Sequence, residues 1–311
     1  MEKAPLYDDV AHGPEGGAAH WLTASDGIRI RVAHWTPPAP KGTILIFPGR
    51  TEFAEKYGDA AREFTDAGYA VCAIDWRGQG LADRMQPDRG LGYVRDFADY
   101  QLDVIAAMDH VRALGLPEPF YLVAHSMGGC IGLRALFNGL PVKAVMFSAP
   151  MWGIMMTPPQ RPFAWAVTRI ARAFGVDARI APGQSTQNYT ASTTLDENAL
   201  TSDAEMWGVM QDQLRKYPDL ALGGPSITWL SEALREMHTL SYMPSPAVPC
   251  LTFLGTNEKI VMPSRIHQRM ANWPGGELVI VPGGRHEVMH ETPQIRRKVY
   301  DQTCAHFAAH P

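Results

Sequence analysis

Cysteine is scarce, with four in 311 residues at positions 72, 130, 250 and 304. No two have metal-ligand spacing such as C-x-x-C, so nothing marks a metal-binding or redox device, and free buried thiols are expected. Positive charge is not in excess either. Against 32 acidic residues stand 28 lysines and arginines, a formal net charge of −4, with no long basic run. That balance argues against a nucleic-acid partner. No apolar run approaches the roughly 20 residues needed to span a bilayer. The opening stretch MEKAPLYDDVAHGPEGGAAHW is polar and lacks the apolar core of a signal peptide, so a cytoplasmic protein is expected. Internal repeats, low-complexity tracts, metal-ligand clusters and a phosphate-cradling P-loop are missing as well, and neither cofactor nor metal is expected. What is plentiful is apolar content, 46% of the chain, enough to bury a large core in one elaborated domain or a domain with an insertion.

Residues 1–19 read as a loose arm, rich in glycine, alanine and charge. WLTASDGIRIRVAHW (21–35) reads as two strands around an Asp26-Gly27 turn. Thr43 to Phe47, Tyr69 to Ile74, Phe120 to Ala124 and Val142 to Phe147 are short, unalternating apolar runs. Such runs suit a parallel sheet covered on both faces. Helical spacing fills the gaps over Tyr57–Asp66 and Asp99–Leu114, and strands alternating with helices imply a doubly wound α/β fold. The alternation stops at Ala149-Pro150. From Met151 to about Pro246 come Trp152, Met155, Met156, Phe163 and Trp165 and helix-like pieces at 161–174, 203–216 and 226–238. We read 151–246 as a helical cap, some of whose methionines and aromatics line an adaptable apolar pocket. Residues 20–150 and 247–311 form the core, which resumes with a strand at Cys250–Leu254, a helix-like stretch from Pro263, a strand at Glu277–Val281 and a final helix from Pro293.

Chemistry concentrates at FYLVAHSMGGCIGLRAL (120–136): strand, tight turn with Ser126 at its apex, then helix. A nucleophile elbow needs small residues two positions either side of its serine, because the backbone crowds in behind it. Here they are Ala124 and Gly128, so the pattern is A-x-S-x-G. Serine is a poor nucleophile unless a base takes its proton and an acid fixes the base's tautomer. In the elbow architecture these follow in the order acid, then histidine, on loops after later strands. Glu258 follows the strand at 250–254, and His286 lies in PGGRHEVMHE after the strand at 277–281. His290 is the rival base, four residues on; His125, beside the serine, is read as a packing or pocket-wall residue. The oxyanion needs two backbone N–H donors. Met127, after the nucleophile, supplies one, and Arg50 the other, since Pro48 has no N–H to give. The Arg50 side chain could also meet a phosphate. Asp75 and Arg77 are read as braces for loops near the elbow.

Together FPGRTEFAEKY, DWRGQG, AHSMGG, GTNEKIV and GGRHE resemble the α/β-hydrolase superfamily, and within it the bacterial lysophospholipase and monoacylglycerol lipase group. The resemblance implies a mostly parallel sheet with a mobile helical cap over an acyl-chain pocket, and a triad of Ser126, Glu258 and His286. The expected activity is hydrolysis of carboxylic esters of monoacyl lipids through an acyl-enzyme. A carboxylesterase or acyltransferase for small soluble esters is the alternative, and a catalytically dead binding module a distant third. Apolar cap residues would allow peripheral contact with a membrane surface.

Overall fold

A computed structural model describes residues 1–156 and 178–311. Among the described residues nine strands form one sheet in the order β1-β2-β3-β5-β4-β6-β7-β8-β9. They are β1 (Glu2–Ala4), β2 (Ala18–Thr23), β3 (Arg29–Trp35), β4 (Thr43–Phe47), β5 (Ala70–Asp75), β6 (Phe120–His125), β7 (Val142–Ser148), β8 (Cys250–Gly255) and β9 (Gly276–Val281). The first three pair antiparallel, as does β3 with β5, and every pairing from β5 to β9 is parallel. The fold is that of an α/β-hydrolase.

The unalternating apolar runs are explained by burial on both faces. Along β6, Phe120, Leu122 and Ala124 join one core cluster, while Tyr121 and Val123 join the other. Along β4, Leu45 and Phe47 face the first cluster and Ile44 and Ile46 the second. Successive side chains leave a strand on opposite sides, so a strand with two covered faces has no solvent-facing position. Each such Val, Leu or Phe contributes about 1.5–3 kcal/mol of burial. After the single-turn helix α1 (Asp8–Ala11), helices α2 (Gly58–Asp66), α3 (Tyr100–Ala113) and α4 (Met127–Phe137) supply the cover early in the chain, and α7 (Pro263–Met270) and α8 (Pro293–Ala308) late in it. Between β7 and β8 lie α5 (Ala204–Lys216) and α6 (Ile227–Ser241), and no described residue there joins the sheet. Both helices begin where a side chain caps them: Asp203 accepts from the Met206 N–H, and Ser226 from the Trp229 N–H. The helix expected at 161–174, with Phe163 and Trp165, lies outside the described residues.

The loose arm expected at 1–19 is not what the structure contains. Glu2–Ala4 pairs with β2 as the edge strand, and Val10 and Ala11, in a single helical turn, are buried. Composition misled because glycine and charge weaken local propensity, whereas long-range pairing holds this segment. The Pro5 carbonyl accepts from Arg31, and the Tyr7 N–H donates to Glu55. Asp75 and Arg77 do brace loops. Asp75 accepts from the Ala54 and Leu81 N–H groups and from Arg31, and Arg77 bonds both Asp103 and Asp26.

Candidate active site

The site stands at the carboxyl ends of the parallel strands. Ser126 occupies the turn from β6 to α4 with φ 49° and ψ −116°. A non-glycine residue held at such a positive φ stores strain, of the order of 1–3 kcal/mol. Its surroundings over-determine it. The Ser126 N–H donates to the Ser148 carbonyl at 3.0 Å, and its own carbonyl accepts from Gly129 and Met151. Glycine is required at 128, where a Cβ would stand 2.0 Å from the Phe47 carbonyl oxygen. Alanine at 124 is accommodated, fully buried within the core.

From this turn a chain of hydrogen bonds runs outward. Ser126 Oγ lies 2.9 Å from His286 Nε2, and His286 Nδ1 lies 2.7 Å from Glu258 Oε2. The other oxygen, Glu258 Oε1, accepts from the Ile260 N–H at 2.6 Å and the Val261 N–H at 3.0 Å. Burial by itself would raise the Glu258 pKa, but His286 and the two amides outweigh it and hold the carboxyl below its usual range. The histidine loop can approach because residue 255 is glycine: a Cβ there would meet the Gly284 carbonyl oxygen at 2.2 Å. The loop is also fastened to the segment before α5. His286 and Glu287 donate their N–H groups to Ala199 and Leu200, and the Arg285 guanidinium donates to Asn198 and Thr201 carbonyls.

Met127 is the first residue of α4, so its N–H has no carbonyl four residues back to bind. On the facing loop the Gly49 N–H is taken by Glu52, which leaves the Arg50 amide as the next along. The Arg50 guanidinium donates to the Gly223 carbonyl at 2.8 Å and lies 5.4 Å from the Trp229 ring centroid. It has no carboxylate partner among the described residues, and burial pulls its pKa down to about 10. A cavity of about 430 Å³ opens over Ser126 and His286. Phe53, Met210, Leu214 and Ile260 supply apolar wall, with Arg50, Glu52 and Gln184 among the polar residues.

The histidine rivals have other partners. His290 Nε2 faces the Lys56 carbonyl, and His125 lies tilted beside His286 with ring centroids 4.7 Å apart while its Nδ1 faces the Ser148 carbonyl. Trp152 packs against Phe147 and Trp273 in the core. Met210, on α5, does line the cavity. Sequence reasoning missed a buried network. Lys56 Nζ bonds Glu52 Oε1 at 2.8 Å and Glu287 Oε1 at 2.7 Å, and Glu52, His125 and Glu287 bring three ligand-type atoms within 4.8 Å of one another. The ammonium already supplies the positive charge a metal would bring. The only local trace was the four-residue spacing of Glu52 and Lys56, which ordinarily marks a surface pair.

Burial holds the pKa of His125 down to about 4 and that of His290 down to about 3. Both are neutral in the fold, yet in the unfolded chain they protonate near 6.5. Unfolding therefore takes up protons below that pH. Their contribution is complete above about pH 6.5 and shrinks as pH falls toward 4, by about 1.4 kcal/mol per pH unit for each histidine. The expected result is a urea midpoint that drops steadily from pH 7 to pH 5. A midpoint unchanged over that interval would contradict the neutral burial of this pair.

Comparison with known proteins gives the family and the fold. The family model Hydrolase_4, described as serine aminopeptidase, S33, matches residues 38–293. A probable lysophospholipase L2 of Haemophilus influenzae is 27% identical over 291 residues, 92% of this chain and 90% of its own. Lysophospholipase L2 of Escherichia coli K12 is 29% identical over 290 residues, 88% of this chain and 83% of its own. Among solved structures, a soluble variant of monoglyceride lipase from Saccharomyces cerevisiae bound to a substrate analog superposes with a TM-score of 0.72. It is 20% identical, covering 93% of this chain and 94% of that one.

Proposed function

The chain belongs to the serine aminopeptidase S33 family of α/β-hydrolases, and from that premise we propose that it hydrolyses carboxylic esters of monoacyl lipids, lysophospholipids or monoacylglycerols, through a Ser-His-Glu triad. One observation carries the reading: a serine on a strained elbow, hydrogen-bonded through His286 to a buried Glu258, opens into a cavity with apolar walls. Ser126 attacks the ester carbonyl while His286 Nε2 takes its proton. Glu258 orients the ring and stabilises the imidazolium, and the Arg50 and Met127 amides hold the oxyanion. The imidazolium then protonates the leaving alcohol, and water activated by the same histidine cleaves the acyl-enzyme.

In this reading residues 20–150 and 247–311 are the hydrolase core and 151–246 the cap. The apolar wall formed by Phe53 from the core with Met210 and Leu214 from the cap suits an acyl chain. The names of the lysophospholipase relatives support a lipid ester. Met155, Tyr189 and Tyr242 are exposed on the cap and would be the side chains to meet a lipid aggregate. No described helix is long and apolar enough to cross a membrane.

The test is a panel of short-chain p-nitrophenyl esters, monoacylglycerol, lysophosphatidylcholine and an aminoacyl p-nitroanilide. Turnover of the two lipids at least tenfold above the short esters is expected. Short esters alone would replace the lipid reading with a general carboxylesterase, and anilide cleavage alone would make the protein a peptidase.

A further inference from the structure

We propose that Lys56 is a positioning residue for the reaction: its ammonium clamps the oxyanion loop to the histidine loop and offsets the charge of two carboxylates beside the site. The inference rests on the serine-hydrolase reading above.

Lys56 sits in the helical turn Ala54–Tyr57, between the loop after β4 and helix α2. Its Nζ reaches Glu52 on one side and Glu287 on the other, and all three side chains are at least nine-tenths buried. Each carboxylate leads directly to a part of the reaction. Glu52 Oε2 accepts the Gly49 N–H and the Tyr57 hydroxyl, and Gln79 donates to the Gly49 carbonyl at 2.8 Å. Gly49 is thus held at both its N–H and its carbonyl, which fixes the peptide that precedes the Arg50 amide. Glu287 follows His286 in the chain, so holding its side chain restrains the loop that carries the base. Glu52, Lys56 and Glu287 all border the catalytic cavity. One ammonium therefore sets the distance between the oxyanion donors and the base, and misplacement on the scale of 1 Å costs about 100-fold in rate.

Charge gives the second part of the role. The groups facing the ammonium and its carboxylates are Tyr57, His125, His286 and His290. His125 and His290 are kept neutral by burial, with Nε2 of the former 3.7 Å from Glu52 and Nδ1 of the latter 3.4 Å from Glu287. Lys56 is thus the one cation in direct contact with both carboxylates among the described residues. Without it, negative charge beside the site would favour the imidazolium of His286 before reaction and oppose the oxyanion during it.

The experiment compares Lys56→Met, Glu287→Gln and the double variant K56M/E287Q in the full-length protein. It reads kcat and KM on the best ester and the pH profile of Ser126 labelling by a fluorophosphonate. In that reaction the serine oxygen bonds phosphorus, fluoride leaves and His286 takes the serine proton, so the readout needs no ester turnover. For K56M, kcat should fall about 100-fold with KM within threefold, and the acid limb of labelling should move up by about one pH unit. Glu287→Gln, which leaves Lys56 with one carboxylate, should move that limb down. The double variant should return the limb to within 0.3 of the wild-type position, order of magnitude, while kcat stays low because the clamp is lost. Should K56M fail to fold, the limb shifts of the other two variants decide. Unmoved limbs, or a folded K56M with kcat within threefold of wild type, would overturn the proposal. Wild-type protein labelled at Ser126 but inert on every ester would refute the substrate reading and leave the Lys56 test intact.

Discussion

Ser126→Ala is expected to lower ester turnover by about 10⁴-fold or more while leaving the thermal midpoint within about 3 °C of wild type or slightly above it. The loss is large because the triad acts as a unit. Once the attacking oxygen is gone, neither His286 nor the oxyanion donors can substitute for it, and only binding and electrostatic stabilisation of direct water attack remain. Stability should not suffer, since Ser126 is held at φ 49° and removing its hydroxyl deletes one hydrogen bond, to His286, without opening a core cavity. The companion change, Glu258→Gln, keeps shape and removes charge. It should cost about 10³–10⁴-fold in kcat, because a neutral amide no longer fixes the His286 tautomer or stabilises the imidazolium. Rates with purified variants on the preferred lipid check both. Ser126→Ala protein that retained a tenth of wild-type turnover would remove this serine from the mechanism.

Arg31→Met should destabilise the protein by about 3–5 kcal/mol. The Arg31 guanidinium is fully buried on β3 and meets two fully buried carboxylates, Glu55 at 2.6 Å and Asp75 at 2.7 Å. It also donates to the Pro5 carbonyl at 2.8 Å. Methionine fills much of the same volume but leaves two carboxylates facing each other without a cation, a charge that the interior cannot solvate. The damage should extend to the site. Asp75 accepts the Ala54 N–H at the start of the turn that carries Lys56, and Glu55 lies in that turn. Urea unfolding measures the effect. A loss below about 1 kcal/mol would mean that water or a proton replaces the guanidinium cheaply, and that this triad matters less than its burial suggests.

The fold was legible because its central strands are covered on both faces. That leaves no solvent-facing position in Thr43–Phe47 or Phe120–His125, and the resulting apolar runs at 44–47 and 120–124, spaced by helical stretches, announce a parallel sheet. The elbow was legible for a related reason. The crowding that demands glycine at 128 comes from the Phe47 carbonyl at the end of β4, but the residue that answers it stands two positions from Ser126, so the demand shows in the immediate sequence. Glu258 and His286 are separated from the serine by more than a hundred residues, yet each follows a strand that the pattern already marks. Chain order therefore singled them out as candidates without any knowledge of distance.

Other features had no such local signature. Residues 1–19 looked loose because propensity is summed over neighbours, whereas Glu2–Ala4 is held by backbone pairing with Trp21, His20 and Ala19. Lys56 and Glu287 lie 231 residues apart, and their contact depends on how the loop after β9 returns beside the loop after β4. Arg31, Glu55 and Asp75 likewise come from a hairpin strand, a turn and the end of a parallel strand. Sequence by itself determined what each short segment must do to bury its apolar side chains, since that requirement acts over a few residues. Which charges would meet in the interior was decided only by tertiary structure, because a buried ion pair is selected by the closeness of two surfaces and not by the order of residues along the chain.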